Sequence, residues 1–352
     1  MSYDFFAQLE HLRPLDITQG GYDTYTKALL VKGVKEVKVG IGKQSPKAWV
    51  RERDDEYRQL IWNAVEVDKP LAGLGLTDID VQNIDALPDE AGILQFRFKL
   101  EKKYISKDDE PFYPHDNPVR KEFIFKVPMV SGSSWKGSLR AAAVTNLLDR
   151  EHLPEVRDGR RVLERLRLKK LFGDEKDSEG VETSSEDKLR VYLDRKMGEA
   201  ARTTFHQYHA EWSDGDDMRR KGRIRILPSY FDKIDLDIIH PRDRHTRAGS
   251  TPITLEVVPK DATALFTLIY LPFDLLGISS GDALRLEILR DIKLLGEALD
   301  TLLRRQGLGA KTSSGFGRAF AIRETVVFHN WIAALPLPAV LPLPPELFGE
   351  QK

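Results

Sequence analysis

The 352-residue chain has no cysteine at all. That removes disulfides, thiolate zinc sites and a cysteine nucleophile from consideration, and fits a reducing, cytoplasmic setting. The start, Met1-Ser2-Tyr3-Asp4-Phe5-Phe6, lacks the basic and apolar regions of a secretory signal. No uncharged apolar run is long enough to span a bilayer, so no membrane partner is expected. Net charge is also lacking: 54 Lys and Arg against 55 Asp and Glu leave a formal charge of -1. A protein that binds nucleic acid on its own is usually basic, so any such role must rest on where the charge lies. What is present is a hydrophobic fraction of 41% and a mean hydropathy of -0.39, which support a real core, in a length that holds two or three domains or one large domain with insertions.

Charge is segregated along the chain. Arg157, Arg160, Arg161, Arg165, Arg167, Lys169 and Lys170 form one basic run, and Arg219, Arg220, Lys221, Arg223 and Arg225 another. An acidic stretch from Asp174 to Asp187 separates them. Such runs either neutralise phosphates or form solvated helix faces. Two glycine-containing segments are more specific. Gly132-Ser133-Ser134-Trp135-Lys136-Gly137-Ser138-Leu139-Arg140 opens a helix, where small residues and the helix dipole suit an anion. Gly307-Leu308-Gly309, five residues, then Gly315-Phe316-Gly317-Arg318 leads from a helix into a strand. Its glycines allow close backbone approach to a ligand, with Lys311 and Arg318 at hand for phosphate. Lys136 and Arg140 fall on one helix face.

Hydrophobic periodicity divides the chain into an N-terminal extension (1–92), a central domain (93–329) with a charged insertion (150–222), and a proline-rich tail (330–352). In the extension, 35–41 alternates as a strand and 54–65 reads as a helix. Strands are predicted at Ile93–Leu100, Phe123–Val127, Arg223–Leu227, Ile253–Val258, Ala264–Leu271 and Phe316–Val327. Helices are predicted at Ser133–Leu148 and Asp282–Arg305. Residues 104–122, with Pro111, Pro114 and Pro118, read as a polar arm. The order strand, helix, strands, helix, strand predicts an α+β fold: a ferredoxin-like (RRM-like) core, an antiparallel sheet with two helices, carrying large insertions. The leucines and Phe348 of the tail suggest docking on the chain's own body or on a neighbour. His206 and His209, three apart, have a zinc-like spacing without an evident third ligand, and Trp135 suits either base stacking or the core.

The Gly307–Gly317 spacing, G-h-G, five residues, G-h-G, resembles the glycine-rich loop of the RAMP (repeat-associated mysterious protein) superfamily of CRISPR effector proteins. The segment Val127–Arg140 is similar to that superfamily's P-G-S-S-x-K-G-x-x-R signature, with Ser131 in place of proline and Trp135 in place of an aliphatic residue. Leu171-Phe172-Gly173 is similar to a further recurrent element. The Arg242 and Arg244 segment resembles the family's arginine-containing hairpin, a thumb-like projection. His115-Asp116-Asn117-Pro118-Val119 is similar to the D-N-P-V segment of the backbone subunit of type III effectors.

The resemblance implies a cytoplasmic guide-RNA (crRNA)-binding subunit in an antiviral ribonucleoprotein complex. RNA contacts would come from Gly132, Ser133, Ser134, Lys136, Arg140, Gly307, Gly309, Lys311, Gly315, Gly317, Arg318, Arg242 and Arg244. It makes Asp116 the candidate catalytic residue and ligand of a divalent ion (Mg or Mn), cleaving complementary target RNA as an endoribonuclease. Partners would be the guide and target RNAs, a large polymerase-like subunit and other RAMP subunits. Read from residue chemistry alone, a turn formed by Asp116 and Asn117 before Pro118 is the favoured reading. The alternatives are a non-catalytic backbone or capping subunit, or a metal-independent guide-processing endoribonuclease with His11 or His115 as base. A P-loop enzyme is disfavoured, because Lys136 precedes its glycine.

Overall fold

The computed structural model describes residues 87–88, 90–107, 117–122, 127–149, 158–173, 189–197, 199–213, 221–239, 253–276, 281–330 and 347. The elements in chain order are β1 (Gly92–Leu100), β2 (Met129–Val130), α1 (Gly132–Asp149), α2 (Asp158–Phe172), α3 (Leu189–Met197) and α4 (Glu199–Ser213). These are followed by β3 (Ile224–Ile226), β4 (Ser229–Tyr230), β5 (Asp235–Ile239), β6 (Ile253–Val257), β7 (Thr263–Tyr270), α5 (Gly281–Asp300), β8 (Ala319–Ala321) and β9 (Val327–Asn330). The strands expected at 35–41 and the helix at 54–65 lie outside the described residues, as does most of the one expected at Phe123–Val127.

The main sheet has the order β3-β7-β1-β8, every pair antiparallel, with β9 also on β1. Numbered along the core as strands 1 (β1), 2 (β3), 3 (β7) and 4 (β8), this is 4-1-3-2, the ferredoxin-like arrangement expected from the element order. Alternation along β1 sends Phe96, Phe98 and Leu100, none of them exposed, to one face. They meet Phe266 of β7 and Trp135 of α1 in edge and tilted ring contacts of 4.8–5.4 Å between centroids. Each fully buried aromatic contributes about 1.5–3 kcal/mol. Helix α5 buries Leu284, Ile288, Ile292, Leu295 and Leu299 in the same core, on the helical spacing read from the sequence.

The expected single strand Phe316–Val327 is broken. β8 pairs with β1 at Phe98–Leu100 and β9 with Gly92–Gln95. Between them the Thr325 hydroxyl accepts the Arg97 N–H at 2.8 Å, replacing a main-chain partner, and a 3-10 turn at Arg323–Thr325 fills the gap. The interrupted pairing is a bulge-like device that shortens the sheet edge.

Beyond the sheet, β5 and β6 form an antiparallel hairpin stem. The last part of the predicted polar arm is docked and is not free. Asn117 bridges Leu255 in parallel fashion, and Val119 is fully buried. The carboxylate of Glu256, itself unexposed, accepts from the Val119 N–H at 3.1 Å and pairs with the buried Lys121 ammonium. At the other end of the chain, Leu347 is fully buried within the main core, so the tail does dock on its own body there. Leu347→Ala is expected to cost about 2–5 kcal/mol by cavity formation, read as a lowered urea midpoint with an unchanged slope.

Candidate nucleic-acid interface

Helix α1 starts at the sheet edge. Arg223 and Leu227 bond to β7, so the alternate residues Gly222, Ile224 and Ile226 turn their carbonyls outward along the free edge of β3. A Cβ on Gly132 would come within 2.1 Å of the Ile226 oxygen; glycine is what lets the first turn of α1 rest on that edge. The buried Ser131 caps the helix, its Oγ accepting from the Ser134 N–H at 3.2 Å and sharing hydrogen bonds with the Ser133 and Ser134 hydroxyls. Ser131, which replaces the signature's proline, therefore acts as the cap. The Ser133 and Ser134 side chains remain exposed.

Beside them Lys136 and Arg140, one helical turn apart, are half-buried with Arg225 of β3. Burial, then the charges of Arg225 and Arg140, hold the Lys136 ammonium below its usual value of 10.5. The folded chain thus binds this proton less tightly than the unfolded chain does. The charged lysine is a cost at neutral pH, relieved only as pH rises through the window between the lowered value and 10.5. A bound phosphate reverses that sign. Lys136→Met is expected to leave the melting temperature unchanged or about 1 °C higher. The same change should weaken single-stranded RNA binding about 5–10-fold and flatten the log K–log salt slope by about 0.7. Thermal melts and anisotropy titrations at several salt concentrations check both. Trp135 belongs to the core: it is fully buried, and its indole N–H donates to Ser229 Oγ at 2.9 Å.

The glycine-rich loop follows directly on α5, whose last turn widens into a π-helix at Thr301–Gln306. Gly307, Gly309, Gly315 and Gly317 all have φ between 73 and 83°. The positions a Cβ would take at three of them are filled by the chain's own carbonyls: Phe316 at 2.3 Å for Gly307, Ile105 at 2.2 Å for Gly309 and Leu308 at 1.9 Å for Gly317. Gly307, Gly309 and Gly317, with Gly132, are thus required by the chain's own packing, a need that their reading as backbone bared for a ligand does not contain. Gly137 and Gly315 differ. Nothing lies within 4 Å of a Cβ on Gly137, and over Gly315 the nearest atoms are the Lys102 side chain at 3.5 Å and Arg318 Cζ at 3.7 Å.

The loop tip presents exposed Lys311, Ser313 and Ser314, Lys311 in the left-handed region at φ 58°. Arg318 Nε is buried without a hydrogen-bond partner among the described residues. Phe316 packs under Lys103, whose ammonium lies 4.9 Å from the ring centre and pairs with Asp237 of β5. Between this loop and the β5–β6 stem opens a cleft of about 390 Å³. Gln306 bonds Thr145 and Thr301 bonds Asn146, so the loop root lies against the far half of α1. Along the helix that is about 18 Å from Ser133. The two segments therefore sit at separate places along α1 and do not form one pocket.

Three arginines of the basic runs, read from sequence as either phosphate-neutralising or solvated, form interior ion pairs. Arg165, 2% exposed, pairs with Asp194 at 2.6 Å and covers the Phe205 ring. Arg167 pairs with Glu287 and Asp291, and Arg223 with Asp274 and Asp291. Their partners are remote in sequence, so the runs look solvated until the fold is known. His206 contacts Asp194, and no group of three His, Asp or Glu able to hold a metal occurs among the described residues. Leu171-Phe172-Gly173 ends α2 and packs on Gly222, where a Cβ would meet the Leu171 carbonyl at 2.3 Å. Asp116, His115, Arg242 and Arg244 lie outside the described residues. Asn117, adjoining Asp116, is held on β6, and β5 and β6 are the stem of the Arg242–Arg244 segment. Lys102, absent from the sequence-based set, joins the loop's cations; its place at the end of β1 gave no local signal.

The chain is thus a ferredoxin-like α+β core with hydroxyls and cations exposed at the start of α1 and at a glycine-rich loop. The sequence model of the RAMP superfamily matches residues 91–320, and the chain belongs to that superfamily. No curated protein matches it in sequence. Among solved structures it is similar to a chain of "Cryo-EM structure of the Type III-B Cmr-beta bound to cognate target RNA". That similarity is 11% identity over 93% of this chain and 99% of that chain, with a TM-score of 0.47. No described helix is long and apolar enough to cross a membrane.

Proposed function

We propose that the protein is a guide-RNA-binding subunit of a type III CRISPR effector and cleaves complementary target RNA through Asp116. The observation that carries the binding half is the placing of Lys136 and Arg225 beside the exposed Ser133 and Ser134 hydroxyls, with Arg140 one turn further along α1. Burial first, and the neighbouring arginine charges second, hold the Lys136 ammonium below its usual value, and among the described residues no carboxylate pairs with Lys136 or Arg225. Phosphate contacts position a nucleic acid without reading sequence, which base pairing between guide and target then supplies. The guide would run from the α1 station to the Lys311–Arg318 loop, with Arg242 and Arg244 projecting from the β5–β6 stem. Other RAMP subunits and a large polymerase-like subunit would complete the assembly, which accounts for a net charge of only -1.

Cleavage asks for in-line attack of a ribose 2′-hydroxyl on the neighbouring phosphate, which breaks the bond to the 5′-oxygen of the next nucleotide, leaves a 2′,3′-cyclic phosphate and lets the departing oxygen take a proton from water. Asp116 would accept that proton or orient the attacking group, and the Glu256-anchored segment from Asn117 to Lys121 supports it from one side. A divalent ion would be held by Asp116 with RNA phosphates, as magnesium is where it keeps most of its waters, and would neutralise phosphate charge. Purified complex with end-labelled complementary RNA tests this. Site-specific cuts in magnesium or manganese that vanish with chelator agree with it. Precursor-guide cutting that persists in chelator would instead identify a metal-independent processing enzyme.

A further inference from the structure

Arg225 stands outside both glycine segments, yet its geometry is the most restrictive of any cation at the α1 station. Its Nη1 donates to the Gly222 carbonyl at 3.0 Å and to the Ile224 carbonyl at 2.9 Å, two of the outward-facing oxygens on the edge of β3. The next such oxygen, Ile226, is the one against which Gly132 is packed. The guanidinium and the first turns of α1 therefore share one edge of the sheet. A guanidinium has five N–H donors in a fixed plane. With both Nη1 hydrogens spent on carbonyls, Nε–H and Nη2–H remain, the parallel pair that matches two oxygens of one phosphate. Among the described residues neither meets an acceptor, and no carboxylate pairs with Arg225. Carbonyl ligands fix the fork without cancelling its charge, unlike Arg223 two residues earlier, which is consumed by Asp274 and Asp291.

We propose that Arg225 is a pre-oriented phosphate fork, binding one RNA phosphate through Nε and Nη2, with the Lys136 ammonium as second charge on the same phosphate. This inference rests on the RNA-binding reading of the α1 station and adds a contact that reading does not contain. A lysine at 225 would keep the charge but could not serve the strand-edge carbonyls and a phosphate in one plane. Geometry and charge are therefore separable by substitution.

The test uses the full-length chain and a fluorescein-labelled 20-nucleotide single-stranded RNA, titrated from low to high salt, with Arg225→Lys, Arg225→Gln and wild type. The expected result is about tenfold weaker binding for both variants. Arg225→Gln should also flatten the salt slope by about 0.7 while Arg225→Lys keeps it, since the slope counts charges neutralised. RNAs with 5′-hydroxyl and 5′-phosphate ends separate the two sources: equal losses assign an internal phosphodiester, a loss confined to the phosphorylated RNA assigns a terminal one. Wild-type affinity in Arg225→Lys would overturn the fork. Lowered melting temperatures with RNA affinity and slope unchanged would make Arg225 an edge clamp only. If wild type binds no RNA, the RNA-binding reading falls and the fork with it; if wild type binds RNA and both variants bind it equally well, the fork falls alone.

Discussion

Asp291→Ala is expected to destabilise the fold by about 3–5 kcal/mol, the range for breaking a buried ion pair by removing one partner. Asp291 is completely buried in α5 and receives Arg167, Arg223 and the Tyr270 hydroxyl, the last two at 2.6 and 2.7 Å. It joins α2, β3, β7 and α5 at one point. Its removal leaves Arg223, 2% exposed, with Asp274 as its main counter-charge, and leaves the buried tyrosine O–H without its acceptor. Burial, then the Asp291 charge, push the Tyr270 hydroxyl well up, so it stays a proton donor throughout the accessible range. Urea unfolding reads the loss. Asp261→Asn, which removes the charge paired with Lys99 at an exposed site and still suits the left-handed φ of 66°, should leave the midpoint unchanged.

The same cluster gives an acid limit. Burial alone would raise the Glu287 carboxyl, but the Arg167 hydrogen bond and charge, with Lys170 and Arg223, bring it below its usual value of 4.5. A depressed carboxylate contributes stability that is present above 4.5 and lost as pH falls through the lower, folded value. Unfolding free energy should therefore drop with pH below about 4.5, and Glu287→Gln should flatten that part of the profile.

The second large effect is chemical. Asp116→Ala in the assembled complex is expected to slow target cleavage by about 10²–10⁴-fold, the range for removing a general base. Guide and target affinity should change less than about twofold, because the lysine and arginine contacts to phosphate are kept. Asp116→Asn should fail equally, since the amide neither takes a proton nor carries charge. Cleavage at the wild-type rate in both would leave the protein a binding and assembly subunit. Gel-resolved cleavage under single-turnover conditions separates the two outcomes.

Periodicity made the core legible. The alternation of Phe96, Phe98 and Leu100 and the helical spacing from Leu284 to Leu299 each lie within one element, where local sequence carries the signal. What was hidden depends on partners far along the chain. Arg165 and Arg167 look like solvated cations because Asp194 and Asp291 are contributed by α3 and α5. Trp135 resolves into the core through Ser229 and Phe266. The break between β8 and β9 turns on one Thr325 hydroxyl, a substitution of side chain for backbone that no pattern encodes. The glycines of the candidate site were visible as letters. That Leu308, Phe316 and Ile226 carbonyls occupy the space above them was not, and neither was Lys102 beside Gly315.

Photocross-linking of the assembled protein to guide RNA carrying 4-thiouridine at successive positions, followed by peptide mapping, tests most directly where the RNA lies. The account predicts cross-linked peptides covering Ser133–Arg140 and Lys311–Arg318, each at different nucleotides. Cross-links confined to α2–α4, with neither segment labelled at any position, would contradict it.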